Sequence, residues 1–240
     1  MEQKVKTALI ASGSGTDAYS IMTAYNNKQM PGIDLRFLIS TKSEAGCLDK
    51  ARSCKIQSIV LDKKEVGSTR AFDQKLSVIL SIDDIQLVFL VGCIVKIPHV
   101  PGVKFYNIHP ADTETAGGLG MYGLKPHKQV LTDIADLIVR GKKTMNDKFY
   151  TTPTVHEVEE KYDSGQYLLK MNVEIPRTII YDFIHNPESS DDAASRLQQH
   201  VLPYEWMMLP LAVNAAAKKI LEKNKNVKAV KLITAFLIGV

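Results

Sequence analysis

Thr7-Ala8-Leu9-Ile10-Ala11-Ser12-Gly13-Ser14-Gly15-Thr16-Asp17 passes from an apolar run through a Ser/Gly turn into polar residues that open an amphipathic stretch. A strand, a glycine turn and a helix in that order begin a βαβ unit, because aliphatic residues suit a buried strand and glycines let the chain turn without a Cβ penalty. Outward from this segment the pattern repeats. Apolar-periodic stretches at 19–27, 45–54 and 69–82 alternate with strand-like runs at 35–40, 58–61 and 87–92, the last apolar throughout, as in a strand covered on both faces. The expected fold is α/β: an open, mostly parallel twisted sheet flanked by helices. At 240 residues, a single domain over 1–240 accommodates the chain.

The second half predicts a strand ending near Ile108, a glycine-rich segment and a helix over 124–136. Strands at 154–158 and 167–174 follow, joined by a polar turn with Asp163, Ser164 and Gly165. A pair of helices over 191–224 then covers the sheet, and 132–154 reads as an extended loop or short hairpin.

Bulk properties exclude several function classes. The formal charge of +4 comes from Lys and Arg scattered among acids, so no nucleic-acid partner is expected, and the basic stretches 140–143 and 218–228 read as solvated faces. Cys47, Cys54 and Cys93 lack Cys-x-x-Cys spacing and a nearby histidine pair. No metal site is expected, and a reduced, cytoplasmic setting fits them. The first apolar run is too short for a signal peptide. The run at 232–240 falls far below the roughly 20 residues that span a bilayer, so it reads as a packed strand or helix end, with no membrane partner.

Backbone N–H groups of Gly13, Ser14, Gly15, Thr16 and Asp17, at the start of a helix, suit a phosphate. The same glycines would serve a tight turn that binds nothing. Neither the third glycine of a dinucleotide fingerprint nor the Gly-Lys-Ser/Thr of a P-loop is present, so a small phosphate ester such as a phosphoribosyl group suits the loop better than a nucleoside triphosphate. In Phe105-Tyr106-Asn107-Ile108-His109-Pro110, strand alternation puts Asn107 and His109 on one face. They converge at the carboxyl edge of the sheet, where ligands bind in open α/β folds. Trp206, Met207 and Met208 read as helix core packing.

Asn107-Ile108-His109-Pro110, then Gly117-Gly118-Leu119-Gly120-Met121-Tyr122-Gly123 and His127, resembles the glycinamide ribonucleotide formyltransferases, a folate-dependent formyltransferase family with a Rossmann-like fold. The resemblance covers nearly the whole chain. The 11–17 loop resembles that family's phosphate loop. Val155-His156-Glu157-Val158 through Tyr162-Asp163-Ser164-Gly165 resembles its folate-binding loop with the catalytic aspartate. The stretch 205–210 resembles the helix whose acid, here Glu205, holds the ribose hydroxyls.

The resemblance implies transfer of a formyl group from 10-formyltetrahydrofolate, as co-substrate, to the amine of 5-phosphoribosylglycinamide in purine biosynthesis, without metal or covalent intermediate. Asn107 and His109 would then stabilise the oxyanion. Asp163 would raise the His109 pKa and assist proton transfer. The donor would lie along Leu90, Val91, Gly92, Val95, Lys96, Ile97, His156 and Val158. A monomer or homodimer is expected.

Three departures from the family stand out. Asp17 replaces an asparagine, Ala111-Asp112-Thr113-Glu114-Thr115 replaces an apolar Leu-Leu-Pro, and 132–154 is longer and carries Lys142, Lys143 and Lys148, which a folate glutamate tail could meet. The alternatives are a catalytically weakened folate- or nucleotide-binding regulatory module of the same fold, and formyl transfer to a different amine or to water.

Overall fold

The computed structural model describes residues 3–160 and 163–238. In chain order its elements are β1 (Val5–Ala11), α1 (Thr16–Asn26), β2 (Ile33–Ser40), α2 (Cys47–Ser53), β3 (Gln57–Val60), α3 (Lys63–Val66), α4 (Thr69–Ile82), β4 (Leu87–Leu90) and β5 (Lys104–His109). Then come α5 (Thr113–Ala116), α6 (Lys125–Val139), β6 (Tyr150–Thr151), β7 (Thr154–Glu157), β8 (Tyr167–Lys170), β9 (Val173–Glu174), α7 (Arg177–His185) and α8 (Ser190–Ile238). The main sheet has the order β3-β2-β1-β4-β5-β7-β8. The pairs from β3 across to β5 are parallel, while β7 pairs antiparallel with β5 and β8 antiparallel with β7. This is the expected α/β architecture.

Alternation along β1 divides the core. Val5, Leu9 and Ala11 face one side with Ile21 and Met22 of α1 and Met208, Leu209 and Ala212 of α8, whereas Ala8 and Ile10 face the other with Phe72, Leu76 and Leu80 of α4. Those three α4 residues recur every fourth position and are fully buried, and the Ser68 hydroxyl caps the helix by accepting the Ala71 N–H at 3.1 Å. A third cluster joins α6, α7 and α8.

From β1 the chain runs outward through β2 to β3, then returns to place β4 on the opposite side of β1. That reversal opens a crevice at the carboxyl ends of β1 and β4. Gly15, at φ +75°, fits the turn above β1 because a Cβ there would lie 2.4 Å from Cys47 Cβ.

The second half departs from expectation in three places. The run at 167–174 is two strands: β8 stays in the main sheet, while β9 leaves it to pair with β6 in a separate two-stranded sheet. The stretch 132–154 is neither extended loop nor self-contained hairpin, since α6 continues to Val139, Gly141 turns the chain at φ +66°, and β6 finds its partner in β9. Two of its lysines make surface pairs there, Lys143 with Asp147 at 3.6 Å and Lys148 with Glu174 at 2.8 Å.

The third departure is that the pair of helices is one helix, α8, with Pro203 and Pro210 inside it, and α7 precedes it. Each proline forfeits a backbone bond, yet the buried stripe Ala193, Leu197, Val201, Glu205, Met208, Ala212 and Ala216 keeps helical spacing through both. Packing of that stripe holds the helix together. The run 232–240 belongs to α8 as far as Ile238, while Gly239 and Val240 lie outside the described residues, as does Tyr162. None of the described helices is long and apolar enough to cross a membrane.

Candidate active site

A cavity of about 570 Å³ occupies the crevice. Ser14, Thr16 and Asp17 line one end, the 90–97 segment another, and Asn107, His109, His156 and Asp163 the floor between them, with Glu205 and Trp206 of α8 closing the side. Ser12 ties the two loops together: its N–H donates to the Gly92 carbonyl and its Oγ accepts the Ile94 N–H, both at 3.1 Å.

The β5–β7 register sets Asn107 opposite His156. The Asn107 amide nitrogen lies 3.3 Å from His156 Nε2, and His156 Nδ1 lies 3.0 Å from the Glu157 carbonyl. A carbonyl only accepts, so Nδ1 carries a proton, and Nε2 is left between the Asn107 amide and the Asp163 carboxylate. By the same reasoning His109 is protonated on Nε2, 2.8 Å from the Ala116 carbonyl, which turns Nδ1 toward Asp163 Oδ2 at 3.8 Å. Asp163 Oδ1 lies 3.4 Å from His156 Nε2, so one carboxylate spans both imidazoles.

Asp163 sits at φ +54°, a backbone region aspartate tolerates at a cost of about 1 kcal/mol. The Gly118 N–H donates to its Oδ2 at 2.8 Å. Burial raises its carboxyl, but the His156 hydrogen bond, the Gly118 N–H and the charge of His109 together outweigh that and hold it below the usual carboxylate value. It is ionised at neutral pH.

For His109 the balance differs from expectation. Burial is the largest effect and leaves the imidazole below its ordinary value, although Asp163 does pull its pKa upward. His109 therefore rests neutral, with Nδ1 able to take a proton. Burial drops His127 further, to about 4, and both its nitrogens are buried without a hydrogen-bond partner among the described residues.

At the Asp17 end two carboxyls meet. Burial pushes Asp17 up to about 6, against the opposing pull of the Trp206 indole N–H, and its Oδ1 has no partner among the described residues. Glu205, on the buried stripe of α8, is raised well above its usual value by burial and then by the charge of Asp17. A donor-rich ligand group suits this end.

The structure brings Ser14, Thr16, Asp17, Glu205, Leu90, Gly92, Val95, Lys96, Ile97, Asn107, His109, His156, Val158 and Asp163 to one cavity. Gly13 and Gly15 shape the loop without lining it. Val91 packs in the core, its N–H donating to Ile10. Trp206 is not core packing, as its helix position suggests: it lines the cavity, Met207 is 58% exposed, and of the three only Met208 is buried. Gln198, Gln199 and Leu202 of α8 also line it, and sequence reasoning does not single them out. Their spacing from Glu205 on one helix is the available signal.

A family model described as formyl transferase matches residues 5–182. The chloroplastic phosphoribosylglycinamide formyltransferase of Arabidopsis thaliana is 30% identical over 72% of this chain and 56% of its own length. That of Vigna unguiculata is 28% identical over 90% of this chain and 62% of its own. The chain thus spans little over half the length of these curated relatives. In fold it is similar to glycinamide ribonucleotide transformylase 1 from Symbiobacterium toebii, with a TM-score of 0.67 at 21% identity, covering 91% of this chain and 90% of that one.

Proposed function

The chain belongs to the formyl transferase family, and from that premise we propose that it moves a formyl group from 10-formyltetrahydrofolate to the amine of 5-phosphoribosylglycinamide, a step of purine biosynthesis. The observation that carries this is the meeting of Asn107, His109 and Asp163 on the floor of one cavity whose far end is a helix-capping Ser/Gly loop. The three free cysteines suit a reducing compartment, and we assign the chain, as a single domain, to the cytoplasm.

In this mechanism the acceptor's amine nitrogen attacks the formyl carbon, a C–N bond forms, and the carbonyl π electrons move onto oxygen. The Asn107 amide donates to that oxyanion; such a donor contributes roughly 3 kcal/mol. His109 Nδ1, neutral beforehand, takes the proton that the attacking nitrogen must lose, and the Asp163 carboxylate stabilises the resulting imidazolium. The bond from carbon to donor N10 then breaks, N10 receives a proton, and the oxyanion collapses to the new amide. One proton leaves the amine and one reaches N10, so none is consumed.

The apolar side chains of Leu90, Ile97 and Val158 form walls for the donor's ring system, with the 92–96 backbone supplying polar contacts. Glu205 accepts from the ribose hydroxyls, and the loop at 13–16 holds the phosphate. Calorimetric titration tests this acceptor: 5-phosphoribosylglycinamide is expected to bind in roughly the micromolar to submillimolar range. Absence of binding at millimolar concentration would point to another amine.

Asp17 limits that affinity, because a carboxylate ionised above about pH 6 repels a phosphate beside it. Asp17→Asn is expected to tighten phosphorylated-acceptor binding roughly tenfold at pH 8, with less gain at pH 5.5, where Asp17 is mostly protonated. Its folded pKa is raised, so its contribution to stability is full below the unfolded value and is lost as pH rises through about 6. The variant's gain in Tm over the native chain should therefore grow from about pH 4 to about pH 6.5 and level off above that. Equal or weaker binding at pH 8 would mean the phosphate sits elsewhere.

A further inference from the structure

His109 keeps its Nε2 proton on the Ala116 carbonyl, and that contact decides which ring nitrogen faces Asp163 and the reacting carbon. Ala116 ends α5, a single turn of helix that cannot hold its own place. Ala116 packs on α6, and side chains of β8 tie down the polar residues of the turn. Lys170 Nζ lies 3.1 Å from Asp112 Oδ2 and 3.4 Å from the centroid of the Tyr167 ring. Asp112 Oδ1 accepts the Glu114 N–H at 3.0 Å, so the ion pair and the cap of α5 share one carboxylate. The Tyr167 hydroxyl donates to Glu114 Oε1 at 2.7 Å and accepts from the Thr113 hydroxyl at 3.3 Å. Beyond the helix, a Cβ on Gly117 would lie 2.3 Å from the Thr113 carbonyl oxygen, so the turn is closed tightly against α5.

We infer that this clamp, Lys170 and Tyr167 of β8 against Asp112 and Glu114 at α5, is a positioning device: by fixing the Ala116 carbonyl it holds His109 in its Nε2–H tautomer and reserves Nδ1 for proton exchange at the reacting centre. None of the four residues lines the cavity. They act through His109 and touch no substrate. The kinetic consequence rests on the formyl-transfer mechanism above, whereas the tautomer is a property of the chain alone.

His109 is faced by Asp163 ahead of β8, His156 from β7, Asp112 ahead of α5, and His127 from α6. Asp112 acts on the imidazole by charge as well as through the clamp, so a substitution there mixes two effects. Tyr167→Phe combined with Glu114→Ala loosens α5 and leaves Asp112 in place.

The test is ¹⁵N NMR of the histidine rings, beside steady-state kinetics over pH. In the native chain His109 is expected as a single Nε2–H tautomer above its pKa. In the double variant, mixed tautomers are expected, with kcat lower by roughly tenfold, both KM values within about twofold, and the acid limb displaced to lower pH because the Ala116 hydrogen bond favours the charged ring. Tyr167→Phe alone, which removes one hydroxyl, should show the same changes to a smaller degree and serves if the double variant does not fold. Glu114→Gln keeps an acceptor and Lys170→Arg keeps the ion pair, so both should retain the native tautomer and profile. A folded clamp variant with one His109 tautomer and a native pH profile would overturn the proposal. Failure of the formyl-transfer mechanism would show differently, as a native chain without turnover whose tautomer still responds to the clamp.

Discussion

Asp163→Asn should lower kcat/KM for formyl transfer at least about 100-fold while leaving the fold intact. Asparagine is nearly isosteric, and its side-chain oxygen can still accept the Gly118 N–H that now meets Asp163 Oδ2 at 2.8 Å. The loop should therefore stay closed. What disappears is the negative charge 3.8 Å from His109 Nδ1, which in the proposed mechanism stabilises the imidazolium that forms as the amine proton leaves. The ground state contains a neutral His109, so substrate binding should change little and the loss should fall on kcat. The pH profile gives a second check. Asp163 pulls the His109 pKa upward against the larger effect of burial, so its removal should carry the acid limb to lower pH. Steady-state kinetics with circular dichroism of the variant measures both. An unchanged kcat in a folded Asp163→Asn protein would remove Asp163 from the reaction.

Gly165→Ala should damage both stability and turnover. A Cβ at Gly165 would lie 1.8 Å from the Glu157 carbonyl oxygen and 2.7 Å from its carbon, and backbone atoms cannot rotate away as a side-chain tip can. The Glu157 N–H donates to the Gln166 carbonyl at 2.9 Å at the base of the same turn. Opening the turn therefore strains the β7–β8 hairpin, at a cost typical of overpacking, about 1–3 kcal/mol. For a chain of this size that lowers Tm by roughly 3–10 °C. Asp163 lies two residues away and spans His109 and His156, so its displacement should reduce kcat about as far as Asp163→Asn does. Thermal denaturation beside activity assays separates this from the conservative variant, which loses turnover with little change in Tm. Native Tm and native kcat together would mean that the turn accommodates the added methyl without strain and without moving Asp163.

Much of this fold is legible in the sequence because short-range rules agree with one another in the first half. Strand runs, glycine turns and apolar periodicity each point to βαβ units, and the helix over 69–82 matches α4 at both ends. Legibility falls where long-range packing overrides local signals. Pro203 and Pro210 suggest a break in α8 that its buried stripe prevents, and nothing local distinguishes the residues of β8 from those of β9, which pair with different partners.

The site is legible to the extent that strand alternation and the family resemblance locate Asn107, His109 and Asp163. The lowered pKa of His109 is not, because burial depends on what α5, α6 and β7 place around the ring. Glu205 offers a subtler sequence signal: a carboxylate at a stripe position otherwise held by Ala, Leu, Val and Met is costly unless a ligand group meets it. Trp206, next to Glu205, lines the same cavity.

The most direct measurement is turnover of the purified chain with 10-formyltetrahydrofolate and 5-phosphoribosylglycinamide, following tetrahydrofolate release by absorbance and the acceptor product by mass. The expected result is one formylated amine for each tetrahydrofolate released, abolished together by Asn107→Ala, His109→Ala or Asp163→Ala. Release of tetrahydrofolate with free formate and no formylated amine, or full activity in the His109→Ala protein, would contradict it.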